Sequence, residues 1–428
     1  MVMNERRDNG EAAVLVGAGE PRYVAELGRL ATTLGMKVAG VLEQRRLDGT
    51  GYLGRGKRDE LRELVSEVGA SFVVTDDELT ASQARVLERA AGATVVDRTE
   101  LIIRIFEAHA RDAASRLEVE LADLEYRLPR VKGRNPELSR LGGGTVLARG
   151  PGEQQLEYDR RAIRGRMATI NRRLKEEAAA RSVRGARLRK GGPPAVALVG
   201  YTNAGKTTIL NALSGASRST KDRLFETLET TTRLVEGSST TDGHDGARPD
   251  FIVTDTVGFI RKLPTQLVHS FASTLEAARD ADVRVLCADA SSEDVEEEIQ
   301  TVRRTLSELS EGAVDGAQGR PTILCLNKVD LLSEERAKEL RREYPGTVMI
   351  SALEGCEALL EKVYRAIASE RERMEILIPH AEYAAASRLY GTAEIHAQEN
   401  TTDGLWMDVS LPRSASANYA SYKVGREK

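Results

Sequence analysis

Four short apolar runs, AAVLVGAG, KVAGVLEQ, SFVVTDD and ATVVDR, punctuate the first hundred residues, and stretches of helical spacing such as RDELRELVSEVG lie between them. Apolar runs of this length alternating with helices predict a small parallel α/β layer over about residues 10–98. The GAGEP turn after the first run lacks the third glycine of a dinucleotide fingerprint. Gly17 and Gly19 therefore read as a plain strand-to-helix turn.

From Thr99 the period changes. Phe106, Ala110, Ala113, Leu117, Leu121, Leu124 and Leu128 recur at steps of four and three, the stripe of one long helix that stops at Pro129. A second stripe, Ile163, Met167, Ile170, Leu174 and Ala178, follows a glycine-rich stretch with glycines at 142–144, 150 and 152. Two matching stripes joined in this way predict an antiparallel helical hairpin over residues 99–190 with a protruding tip. After the hinge GGPP at 191–194 the strand and helix alternation resumes to about residue 370. The tail, 371–428, reads as the strand MEILIP, the helix EYAAASRLY and a hairpin turning at Asp403-Gly404, a small α+β unit.

Composition places the chain among soluble globular proteins, at 41% hydrophobic and 30% charged. No apolar run approaches the roughly 18 residues of a membrane span, and the opening lacks the apolar core of a secretory signal, so a cytoplasmic location is expected. Cys287, Cys325 and Cys356 are widely spaced, two of them inside apolar runs, and read as buried small hydrophobes. Net charge changes the picture more. Residues 160–190 hold twelve Lys/Arg and two Glu, a surplus of +10 in a chain whose total is −4. Such asymmetry points to a polyanion met by one segment, and Arg140, Arg149 and the glycine loop beside it suit contact with irregular RNA.

The chemistry sits in the third block. GYTNAGKT, from Gly200 through Tyr201, Thr202, Asn203, Ala204, Gly205 and Lys206 to Thr207, follows the apolar strand AVALV and opens the helix TILNAL. In that context successive backbone amides turn toward phosphates, Lys206 reaches the β and γ phosphates, and the Thr207 hydroxyl ligates Mg²⁺. The strand FIVTDTVGF then carries Asp255, Thr256, Val257 and Gly258. Asp255 can hold the Mg²⁺ through water, and the Gly258 amide can meet the γ-phosphate. LCLNKVD supplies Asn327, Lys328, Val329 and Asp330, and ISAL supplies Ser351, Ala352 and Leu353. The Asp330 carboxylate accepts both guanine N1 and N2 hydrogens, which adenine does not offer, the Lys328 stem lies over the ring, and the Ala352 amide meets guanine O6. GTP binding follows. A switch threonine for Mg²⁺ must come from LFETLETTTR, where Thr227, Thr230, Thr231 and Thr232 all qualify. Where many GTPases have a water-orienting glutamine after the glycine, this chain has Phe259.

The stretches GYLGRGKRDEL, DRTELIIRIFEAHARDAASRLEVELADLEYRLPR, RGPGEQQLEYDRRAIRGR, GYTNAGKTTILNAL, LFETLETTTR and DTVGFIRKLP together resemble HflX, a family of ribosome-associated GTPases in the Obg–HflX group. The resemblance covers about residues 12–370. It implies that Thr227 is the switch threonine, acting with Lys206 and Gly258 in turnover, and that Phe225, Glu226, Thr227, Leu228 and Glu229 close over the nucleotide. It also implies a large ribosomal subunit partner contacted through residues 140–190. A hydrophobic residue after the glycine belongs to the family pattern, so water is aligned by backbone, another residue or the ribosome. Relatives with asparagine at the position of Asn203 use it to hold a monovalent cation, which makes K⁺ a second candidate cofactor. The chain departs from the family at Thr230, which replaces a proline, and at Gln154 and Tyr158, which replace threonines.

The fold expected is therefore α/β: an N-terminal parallel layer with a helical hairpin (1–190), a P-loop GTPase domain (191–370) and a small α+β unit (371–428). The function expected is a monomeric GTP hydrolase, acting on the large subunit in the splitting or rescue of stalled ribosomes or in subunit maturation. Two alternatives differ in class: a GTP-gated RNA-binding module with negligible turnover, and ATP-dependent RNA remodelling by the N-terminal domain.

Overall fold

The computed structural model describes residues 10–18, 21–45, 47–131, 151–189, 193–215, 231–237, 248–262, 277–311, 320–390, 393–412 and 416–424. The chain divides into two compact units, Met1–Glu176 with Lys221–Glu229 and Lys262–Ala272, and Glu177–Thr220 with Thr230–Arg261 and Ser273–Lys428.

In the first unit, β1 (Ala12–Ala18), β2 (Lys37–Gln44), β3 (Phe72–Thr75) and β4 (Thr94–Asp97) form a parallel sheet in the order β2-β1-β3-β4. The crossovers are α1 (Pro21–Thr33), α2 (Arg55–Val68) and α3 (Ala81–Ala91). Val14, Val16, Leu53, Leu61, Val73 and Leu87 fill the core, as alternating apolar runs require. Gly17 is explained by packing, because a Cβ there would lie 2.4 Å from Val24 Cγ2 where α1 crosses β1. At the carboxyl end of the sheet the buried Arg98 guanidinium pairs with Asp76 at 2.7 Å and Glu26 at 2.9 Å, and Lys262 reaches Asp76 at 3.0 Å.

The stripe that predicted one helix from Phe106 to Leu128 is broken into α4 (Arg98–His109) and α5 (Ala113–Arg127). Ala110 is extended (φ −68°, ψ 111°), and Asp112 caps the new helix by accepting from Ser115 N at 2.6 Å. A carboxylate that offers the backbone this partner competes with helix continuation. The break resets the phase, so α5 buries Ser115, Glu118, Val119, Ala122 and Tyr126 beside Leu121, while Leu117, Leu124 and Leu128 are half-buried. The partner helix of the expected pair is α6 (Pro151–Arg189). Its Arg166 grips Glu120 of α5 in a bidentate pair at 2.6 and 2.7 Å, and Ile170 is fully buried. The glycines at 142–144 and 150, with Arg140 and Arg149, lie outside the described residues.

In the second unit a six-stranded sheet runs β10-β9-β8-β5-β7-β6, with β5 (Ala195–Gly200), β6 (Thr231–Val235), β7 (Phe251–Asp255), β8 (Val283–Asp289), β9 (Thr322–Asn327) and β10 (Val348–Met349). All pairs are parallel except β6 with β7. Strands buried on both faces read as continuous apolar runs, and Val283–Ala288 are all buried accordingly. Helices α7 (Lys206–Leu213), α8 (Val295–Glu311), α9 (Glu334–Glu343) and α10 (Glu357–Ser369) complete the alternation. All three cysteines are free and buried. Beyond them β11 (Arg371–Pro379), β13 (Gly404–Pro412) and β12 (Glu394–Asn400) form an antiparallel sheet in that order, closed by α11 (Tyr383–Leu389) around Met374, Ile376, Met407, Val409 and Leu389. The hairpin turns before Gly404, whose φ of 156° suits glycine.

Among the described residues, no helix is long and apolar enough to cross a membrane.

Candidate nucleotide site

Register brings the functional strand ends to one edge of the six-stranded sheet. Leu198 pairs with Asp255, Gly200 with Cys287, and Asp289 with Asn327, so the carboxyl ends of β5, β7, β8 and β9 lie side by side. The chain runs from β5 outward through β6 and β7, then returns to the other side of β5 for β8 and β9, which makes the end of β5 a topological switch point. Ligands of open α/β sheets bind at such points.

The phosphate loop begins there. Gly200 is forced by close approach, since a Cβ would lie 2.1 Å from the Cys287 carbonyl oxygen. Asn203 (φ 63°) and Gly205 (φ 84°) take the left-handed conformation, folding the loop back into the N-terminus of α7. Only glycine fits at 205, because a Cβ would stand 2.1 Å from Asn327 Nδ2. Lys206 is buried and donates to the Gly200 carbonyl at 3.1 Å and the Tyr201 carbonyl at 2.9 Å. Burial holds its ammonium below the usual lysine range, with Asp255 opposing the shift. Nearby Thr207 Oγ1 donates to Asp255 Oδ2 at 2.7 Å.

Thr256 donates its hydroxyl to the Leu198 carbonyl at 2.7 Å, tying the end of β7 to β5. Val257 is buried, and Gly258 sits so close to the loop that a Cβ would meet Thr202 Cγ2 at 2.8 Å and Lys206 Nζ at 3.0 Å. Phe259 is 2% exposed, and its backbone pairs with Tyr201 in a parallel bridge: Phe259 N donates to the Gly200 carbonyl and Thr202 N donates to the Phe259 carbonyl. Its side chain is thus core, with no polar group to turn toward water.

On the other flank Asn327 joins two loops. Its Nδ2 donates to the Ala204 carbonyl at 3.0 Å, and its Oδ1 accepts from Ala352 N at 3.0 Å. Lys328 adopts φ 64° and pairs with Asp289 at 2.7 Å, while Val329 N donates to the Ile350 carbonyl at 3.2 Å. Asp330 is exposed, Leu353 is 81% exposed and Ser351 is buried. Thr202 Oγ1 and Ser351 Oγ are buried with no hydrogen-bond partner among the described residues, so two hydroxyls of these loops are available to a ligand. Of the four candidate threonines, Thr231 and Thr232 belong to β6, where Thr232 bonds Thr254 at 3.1 Å. Phe225, Glu226, Thr227, Leu228, Glu229 and Thr230 lie outside the described residues.

Two contributors had not been singled out from the sequence. Asp289, at the end of β8, anchors Lys328, and an acid closing an apolar run (VLCAD) was the available signal. Arg261 N donates to the Tyr201 hydroxyl, a contact that no sequence pattern announces. No group of three or more His, Cys, Asp and Glu able to hold a metal occurs among the described residues.

Comparison with known proteins agrees along the chain. Residues 21–107 match a family described as GTP-binding GTPase N-terminal, residues 109–187 one described as GTP-binding GTPase Middle Region, and residues 195–328 one described as 50S ribosome-binding GTPase. A crystal structure of a GTP-binding protein from Sulfolobus solfataricus in complex with GDP aligns at 22% identity with a TM-score of 0.43, over 83% of this chain and 98% of that one. GTPase HflX of Alkalihalophilus pseudofirmus is 38% identical over 89% of this chain and 90% of its own. With GTPase HflX of Caldanaerobacter subterraneus also 42% identical, over 88% of this chain and 86% of its own, the protein belongs to the HflX family of GTPases and is a GTP hydrolase.

Proposed function

We propose that the protein binds GTP and Mg²⁺ at the carboxyl edge of the six-stranded sheet, hydrolyses GTP there, and uses the cycle on the large ribosomal subunit. One observation carries the site: the 2.7 Å contact of the Thr207 hydroxyl with the Asp255 carboxylate at the mouth of the left-handed loop that buries Lys206. A hydroxyl and a carboxylate are the hard oxygen donors that Mg²⁺ selects, with phosphate oxygens and water completing its shell. Bound there, the ion would neutralise developing phosphate charge. Residues of the chain do the rest. Lys206 exchanges two carbonyl partners for phosphate oxygens, the amides from Asn203 to Thr207 cradle the β-phosphate, and Gly258 N–H reads the γ-phosphate. Thr227, with Phe225, Glu226, Leu228 and Glu229, closes over the nucleotide.

Base selection falls to Asp330, to the Lys328 stem steadied by Asp289, and to the Ala352 amide, which would exchange its Asn327 Oδ1 acceptor for guanine O6. Ser351 and Leu353 line the same loop. Burial of Phe259 supports a slow intrinsic rate, because the side chain that follows Gly258 is apolar and lies in the core, where it does not orient the attacking water. The left-handed Asn203 suits a K⁺ beside the phosphates, which would offset charge as an arginine finger does elsewhere.

The partner reading rests on the family described as 50S ribosome-binding GTPase and on the +10 surplus of residues 160–190, which suits rRNA phosphates. Residues 1–190 would serve as the RNA-facing domain, with 140–190 in contact, 191–370 as the GTPase domain and 371–428 as an accessory unit. Splitting or rescue of stalled ribosomes, or subunit maturation, is the role this arrangement fits.

The test compares GTP turnover alone and with purified large subunits. Stimulation by large but not small subunits, weakening steeply as KCl rises, is expected. Equal turnover with and without large subunits sinks the partner assignment.

A further inference from the structure

From Gly200 to Thr207 the phosphate loop carries the hydroxyls of Tyr201, Thr202 and Thr207. Those of Tyr201 and Thr207 are engaged within the chain, the first accepting from Arg261 N and the second donating to Asp255 Oδ2 at 2.7 Å. Thr202 differs. Its residue is 7% exposed, and its Oγ1 is buried with no hydrogen-bond partner among the described residues. A buried hydroxyl in that state calls for a partner that the ligand brings.

Backbone pairing fixes where this hydroxyl stands. Thr202 N donates to the Phe259 carbonyl at 2.7 Å and Phe259 N donates to the Gly200 carbonyl at 3.0 Å, which ties Thr202 to the turn that carries Gly258. On the side of Gly258 where a Cβ would project, the nearest atoms are Thr202 Cγ2, Thr202 Cα and Lys206 Nζ, at 2.8, 2.9 and 3.0 Å from that point. Thr202 is therefore a neighbour of both groups assigned above to the γ-phosphate, the Gly258 amide and the Lys206 ammonium. Threonine is stiff at χ1, and its hydroxyl hangs from the same Cβ as the methyl packed on Gly258.

Hydrolysis needs a water aligned on the γ-phosphorus, and Phe259, in the core, does not align it. A hydroxyl has one donor and two acceptor sites, so it can hold a water and a phosphate oxygen at once. We propose that Thr202 is a catalytic residue that positions the attacking water: its Oγ1 accepts a hydrogen bond from the water and donates its own hydrogen to a γ-phosphate oxygen. A water lone pair is then left to face the phosphorus. The bond from water oxygen to phosphorus forms while the bond from phosphorus to the β–γ bridging oxygen breaks. The electron pair of the broken bond leaves on GDP, both water hydrogens leave on inorganic phosphate, and the threonine ends unchanged. The proposal rests on the guanine-nucleotide site described above and keeps the Gly258 amide and Lys206 on the γ-phosphate.

Thr202→Val tests it by exchanging the hydroxyl for a methyl at nearly constant shape, with Thr202→Ala as a second variant that lacks the hydroxyl and Thr202→Ser as one that keeps it. Single-turnover hydrolysis at saturating GTP is measured on the full-length chain, and affinities for GDP and for a non-hydrolysable GTP analogue are measured by titration calorimetry. Both variants without the hydroxyl should lose about 10- to 100-fold in turnover while both affinities stay within about threefold, the signature of an interaction made chiefly in the transition state. Serine should restore most of the lost turnover. A merely structural threonine would weaken both nucleotides in Val and Ala and would leave turnover at saturation in place. Turnover retained in Val and Ala, or lost equally in Ser, overturns the proposal. Absence of GDP binding in the unmodified protein overturns the site assignment itself, and that control tells the two failures apart.

Discussion

Replacing Asn327 by alanine removes one amide that braces two loops at once. The side chain is 2% exposed, and its two hydrogen bonds, to the Ala204 carbonyl and from Ala352 N, are both 3.0 Å long. Each backbone group loses a buried partner, and an unsatisfied buried group costs about 1–3 kcal/mol, so the pair amounts to roughly 2–6 kcal/mol. Water entering the vacated space recovers part of this, which favours the lower end. About 2 kcal/mol is roughly a 30-fold loss in an equilibrium constant. The loss divides between stability of the protein and affinity for GDP. Urea unfolding and calorimetric titration with GDP together recover the sum. Asn327→Asp is the sharper variant, because it keeps the acceptor for Ala352 N and sets a carboxylate oxygen against the Ala204 carbonyl. It should lose at least as much as alanine. If Asn327→Ala keeps GDP affinity within about threefold and stability within about 0.5 kcal/mol, the brace contributes nothing and the estimate fails.

Four further outcomes are expected. Asp330→Asn turns one of the two oxygens that accept the guanine hydrogens into a donor and should shrink discrimination against adenine nucleotides from roughly 10⁴ toward parity, read by competition of ADP with GDP; unchanged discrimination refutes the role. Arg98→Met leaves the carboxylates of Glu26 and Asp76 without their 2%-exposed guanidinium, and should destabilise the first unit by about 3–5 kcal/mol in urea unfolding; a loss below about 1 kcal/mol contradicts it. Burial raises the Asp123 carboxyl to about 6, helped by Glu107 and Glu100 and opposed by Arg127. The folded state therefore prefers the protonated form, and stability falls by up to about 3 kcal/mol as pH rises from about 4 to 6; in Asp123→Asn that slope should vanish. Last, turnover should be faster in KCl than in NaCl at equal ionic strength, and Asn203→Ala should erase the difference; equal rates in the unmodified protein remove K⁺ from the mechanism.

Much of the architecture is legible from local pattern alone. Apolar runs bounded by turns name the parallel strands, because a strand buried on both faces has little freedom of composition. GYTNAGKT is readable for a similar reason: Gly200 and Gly205 stand where a Cβ would collide with backbone or with Asn327, and few sequences satisfy that geometry. Chemistry imposed on a short segment leaves its mark in that segment.

What the pattern does not carry is interaction between distant positions. The stripe from Phe106 to Leu128 keeps its spacing across Ala110 to Asp112, yet the Asp112 side chain ends one helix and begins another, so that Glu118 and Ser115 turn inward where the count had put Leu117. Periodicity records which residues are apolar, and a cap decides where the count restarts. The Asp289–Lys328 pair, the Arg98–Glu26–Asp76 cluster and the Tyr201 hydroxyl against Arg261 N join residues 39, 72, 22 and 60 positions apart, respectively. Sequence alone determined the element types and the motif order, and named the residues proposed to hold a guanine nucleotide. Only the tertiary structure decided which of those groups meet, because hydrogen bonds and ion pairs depend on distances that the register of parallel strands sets, and register is a property of the assembled sheet.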